Sequence, residues 1–148
     1  MRRRALGVLI ALSVPAILML AGCGSGSGLS AAQVRDRATQ ACDRAADQSA
    51  AIRRPGAPSG AQRFLAQGIA VLAPELGTLR GLGDRGSIQA GVSAMQAELT
   101  ALRSALNGLR AGNDPVVAIR TLQQQLVGPE QRANAAWRRL RVPACTSR

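Results

Sequence analysis

At 148 residues the chain has room for one domain, and 47% of it is hydrophobic, much of that Ala. Phe64 and Trp137 are the only aromatics, so the core has to be built from Leu, Val, Ile and Ala, which favours close-packed helices over a sheet. All 19 basic residues are Arg, against eight acids; the absence of His, Lys and Tyr excludes imidazole catalysis and ligation, Schiff-base chemistry and a phenolic acid.

The chain opens on Arg2, Arg3 and Arg4, followed by an apolar stretch from Ala5 to Met19 and then Leu20-Ala21-Gly22-Cys23. A charged start, an apolar run and small residues at a cut site make a secretory signal. The tetrapeptide in this position resembles the lipobox of bacterial lipoprotein precursors. The resemblance covers about the first 23 residues and nothing beyond them. It implies a diacylglycerol joined by a thioether to Cys23 and cleavage between Gly22 and Cys23. Two acyl chains hold a protein stably on a bilayer where one does not. The expected localisation is therefore exported, lipid-anchored on the extracytoplasmic face of a bacterial membrane. An uncut membrane helix over residues 5–22 is the alternative, about long enough to span, although Pro15 interrupts it. Gly24 stands where the family's sorting rule reads an Asp for inner-membrane retention.

Residues 23–29 continue as a Gly/Ser tether, since such repeats are flexible coil. Residues 30–148 form the domain. Sixteen arginines remain after the leader against eight acids, a formal balance of +8. Such a charge attracts polyanions, which outside the membrane means anionic lipid or acidic envelope polymer rather than nucleic acid. A G+C-rich coding bias accounts for Arg in place of Lys equally well.

The apolar spacing predicts an up-down four-helix bundle. The first helix starts at Ser30, whose spacing to Gln33 is a capping box, and runs to about Arg54 with Val34, Ala38, Ala41, Ala45 and Ile52 inward. Pro55 to Gly60 breaks it. The second carries Leu65, Ile69, Leu72, Leu76 and Leu79, with Pro74 expected to kink or end it. After the turn Gly81–Gly86, Ser87 is the expected N-cap of the third. Its Ile88, Val92, Met95, Leu99, Leu102, Leu106 and Leu109 make an a/d seam over three heptads. Asp114-Pro115 opens the fourth, whose stripe is Ile119, Leu122, Leu126, Ala133, Trp137 and Leu140. A break at Gly128-Pro129 would give a five-helix variant.

With two thiols left in an exported domain, Cys42 and Cys145 are expected to form a disulfide. This requires the tail after Pro143 to fold back, or the fourth helix to break at Gly128, because Cys42 lies about 18 Å along its helix.

Little else carries chemistry. Asp36, Asp43 and Asp47 could share a helix face, but they alternate with Arg35, Arg37 and Arg44 and read as a solvated, ion-paired surface. Gly81-Leu82-Gly83-Asp84-Arg85-Gly86 fits GxGxxG but follows a helix, and a nucleotide site needs a strand before it. No cofactor or metal is expected. Arg132, Arg138, Arg139 and Arg141 gather near the C-terminus beside Trp137 with no acid among them. In an up-down bundle that end faces the membrane, where basic residues can add about 1 kcal/mol each on an anionic surface. A buried Trp137 under an ordinary exposed face is the competing reading. The expected function is a non-enzymatic envelope lipoprotein with a helical interaction or structural domain. The alternative is a carrier of a small apolar or anionic ligand in an interhelical groove.

Overall fold

A computed structural model of the chain describes residues 28–82 and 86–146. Four helices run α1 Ala31–Ala50, α2 Ala61–Arg80, α3 Gln89–Arg110 and α4 Pro115–Leu140. Short 3₁₀ turns, Pro58–Gly60 and Pro143–Thr146, precede α2 and follow α4. They form an up-down bundle in which α1 packs on α2, α2 on α3, and α3 most extensively on α4. Leu29 and Leu140 pack against one core cluster, so residue 28 enters at the end where α4 finishes. We call that end proximal.

The helix starts follow local chemistry. Ser30 caps α1 reciprocally: its Oγ accepts from the Gln33 N–H at 3.2 Å, and its own N–H donates to Gln33 Oε1 at 2.9 Å. Asp114 Oδ1 accepts from the Val117 N–H at 2.9 Å, with Pro115 in the first turn of α4. Ser87 does not cap α3; Ile88 stands at the N-cap with no side-chain bond. α1 ends at Ala50, short of Arg54, and Ile52 is half-buried beyond it.

Neither internal proline ends its helix. α2 passes through Pro74, and α4 continues through Gly128-Pro129, so the five-helix variant is not formed. The carbonyls four residues earlier, which lose a backbone donor, belong to Ala70 and Gln125, both solvent-exposed and open to water.

Two helices end through left-handed residues. Gly112 (φ 92°) follows α3, and the Asn113 N–H bonds the Gly108 carbonyl at 3.0 Å. At the end of α4 the corresponding residue is Arg141, φ 58° and ψ 44°. The Arg141 N–H bonds the Arg138 carbonyl and the Val142 N–H bonds the Trp137 carbonyl, both at 3.0 Å. This paired closure turns the chain and drops Val142, 1% exposed, into the core.

The apolar interior divides in two. The proximal cluster joins Val34, Ala38 and Cys42 of α1 to Leu76 and Leu79 of α2, Val92 and Met95 of α3, and Trp137 of α4. The distal cluster is Ala61, Leu65, Leu106, Leu109 and Leu122, with Phe64 and Ile119 packed against it. No α1 residue belongs to the distal cluster. Trp137 is fully buried because Gly91 leaves room for it: a Cβ at Gly91 would stand 2.6 Å from Trp137 Cζ2.

Candidate functional site

Cys23, the residue on which the lipid anchor rests, lies outside the described residues, as do the leader and most of the tether. No helix among the described residues is long and apolar enough to cross a membrane.

Cys42 and Cys145 are bonded, with Cα atoms 5.0 Å apart and a sequence separation of 103. Both are fully buried. The reversal at Arg141 and the 3₁₀ turn from Pro143 bring the tail back beside α1, so the first of the two routes holds and α4 stays whole. In the chain-entropy model a loop of this length contributes about 4–5 kcal/mol.

The C-terminal arginines stand at different angles around the end of α4. Arg132, Arg138, Arg139 and Arg141 are all exposed. Arg132 and Arg139 are seven residues apart and share one flank of α4, whereas Arg138 is turned about 100° from Arg139. Arg132 reaches back over Gly128, its Nη1 3.3 Å from where a Cβ there would stand. Arg141 lies past the last helical turn. Trp137 faces inward and contributes nothing to this surface; its indole N–H has no hydrogen-bond partner among the described residues. Asp36, Asp43 and Asp47 are exposed along α1, as are Arg35, Arg37 and Arg44. Among the described residues no three Cys, Asp or Glu side chains converge as metal ligands.

The structure assembles a different set at the distal end. The segment between α1 and α2 forms one wall of a hollow of about 970 Å³ and the start of α4 the other, with no α1 residue in its lining. Its apolar lining includes Ala57, Pro58, Phe64, Val116 and Ile119. Val116 is 51% exposed, and Val127, one stretch along α4, is equally so. Arg54 and Arg120 stand on the hollow with Glu130. A smaller neighbour of about 440 Å³ shares Arg54, Pro55 and Phe64 and adds Arg53 and Arg63. Four exposed arginines thus stand around the chain's single Phe with one acid among the lining residues. In the sequence these residues fall in separate elements: Arg53 and Arg54 read as the end of the first helix, Arg63 lies in the second and Arg120 in the fourth. Only the composition of residues 53–64, basic, Pro-rich and carrying the sole Phe, hinted at them.

No family model, no curated protein and no solved structure matches this chain.

Proposed function

We propose that the chain is the precursor of an exported bacterial lipoprotein whose helical domain, tethered through lipid on Cys23, is a non-enzymatic interaction or structural module of the cell envelope. The observation that carries this reading is the division of the three cysteines. Cys42 and Cys145 are consumed by a buried disulfide, as suits an oxidising compartment. Cys23 is left at the end of an apolar run in the setting Leu20-Ala21-Gly22-Cys23. The chain enters the bundle at the proximal end, so a tether of a few residues keeps that end, with Arg138, Arg139 and Arg141, nearest the membrane. Anionic headgroups or an acidic envelope polymer are the complementary partners of those charges.

The experiment is membrane fractionation and intact mass of the wild type beside Cys23→Ala. The expected mature chain begins at Cys23 and carries a diacylglycerol, and the variant leaves the membrane fraction. A mature N-terminus elsewhere, or retention of residues 1–22, would overturn the reading. A carrier of a small apolar or anionic ligand is the second reading. The distal hollow, with apolar walls and flanking arginines, is the observation that favours it. Against it, small ligands are usually buried over most of their surface, and this hollow is open to solvent.

A further inference from the structure

We propose that the distal hollow is the docking site for an acidic segment of a partner protein that carries one or two apolar anchor side chains. This rests on the interaction-module reading above and assigns its surface and the chemistry of its partner.

Three observations lead there. The first is that α1 contributes nothing to the lining of the hollow or to the core beneath it. Phe64 and Ile119 are only half-buried, and Val116 is 51% exposed. An apolar floor left at one end of an otherwise filled bundle gains most from an added segment that removes it from water. The second is charge. Arg53, Arg54, Arg63 and Arg120 flank that floor against Glu130 alone. An apolar centre with a charged, hydrated rim is the anatomy of a protein interface, and Arg is among the residues enriched there. The complement is a segment with Asp or Glu around a Leu, Ile, Phe or Trp. The third is position. The hollow lies at the end opposite to residue 28, at the far end of helices of 20 and 26 residues, or about 30–39 Å of rise. A domain tethered by its proximal end presents this surface outward, clear of the bilayer.

The second copy of this chain is a poorer occupant, because two +8 domains would bring their arginines together. Anionic lipid is poorer too, because the hollow is turned away from the anchoring end.

The test is a display selection of short random peptides on the full chain held in zwitterionic nanodiscs. Arg54→Ala/Arg120→Ala and Val116→Ser serve as comparison proteins. The expected consensus places two or more acids around one or two large apolar residues. Synthetic peptides of that consensus bind saturably, roughly tenfold more weakly to the double arginine variant, and more weakly to Val116→Ser. Binding also weakens as salt rises. The three altered side chains are exposed, so both variants keep the wild-type Tm. No enriched consensus, a consensus without acids, or binding unchanged by loss of the arginines overturns the proposal. A dimer in sedimentation that Val116→Ser abolishes overturns it as well, by giving the hollow to a second copy. The Cys23→Ala protein goes through the same peptide titration. Binding that persists there while the membrane fraction empties holds the docking surface apart from the anchor, and a failed anchor with intact binding overturns only the lipoprotein reading.

Discussion

In the proximal half of the bundle, α1 and the C-terminal tail close the square around Trp137. In the distal half, the core residues Leu65, Leu106, Leu109 and Leu122 come from α2, α3 and α4. The proximal half is made for completeness: a disulfide, a left-handed closure at Arg141 and a glycine cut to the shape of an indole. The distal half leaves apolar side chains partly wet and gathers arginines around them. The cross-linked, filled end and the proposed docking surface thus lie at opposite ends. A rigid closed end tolerates an open one because burial at the first offsets what the second forgoes.

The comparison can be broken most forcefully at the disulfide. Reduction, or Cys42→Ser with Cys145→Ser, should cost about 4–5 kcal/mol in the chain-entropy model, read as a fall in the urea midpoint. Hydrogen exchange should then rise first in α1 and the tail, with α2, α3 and α4 less affected. Equal loss of protection across all four helices would contradict the division into two halves. Trp137→Ala comes next, at about 3–5 kcal/mol, and Gly91→Ala at about 1–3 kcal/mol, because its methyl overlaps the indole. These two positions should be coupled: in thermal melts, Gly91→Ala combined with Trp137→Phe should cost less than the two single changes added. The distal half is probed by Asp114→Ala, which removes the cap of α4 at about 1 kcal/mol. That change should loosen the start of α4 and leave exchange in α1 untouched. The smallest effect has the opposite sign. Arg141→Gly relieves a left-handed backbone at a residue with a Cβ and should stabilise by about 0.5–1 kcal/mol. A lower Tm would mean that the arginine side chain contributes more than the strain it causes.

Much of the bundle was legible beforehand. The seam from Ile88 to Leu109 is buried except for Leu102, which is half-buried. Ser30 and Asp114 cap the helices they were expected to cap. These features are local: periodicity and a capping oxygen act within a few residues of where they are read. α2 and α4 continue through Pro74 and Pro129 rather than ending there; Ala70 and Gln125, whose carbonyls lose a backbone donor, are exposed residues. The N-cap position of α3 falls to Ile88, one residue beyond Ser87.

The site was much less legible. The arginines that looked like a cluster, from Arg132 to Arg141, are adjacent in sequence and spread around a helix. Those around Phe64 join Arg53, Arg54 and Arg63, from one short stretch, to Arg120 of α4, far away in sequence. Charge adjacency along a helix is not adjacency in space, since each residue turns the direction by about 100°.

By itself, then, the sequence determined that this protein is helical, where α1 and α4 begin, which residues of the apolar stripes face inward and which two cysteines could pair. Periodicity and capping are short-range, and they are written in the chain. Tertiary structure alone decided that the distal core takes nothing from α1, that Gly91 receives Trp137, and that the tail turns back at Arg141 to reach Cys42. Each of these depends on how lengths and shapes of separate helices match across the bundle, which no short stretch of sequence contains.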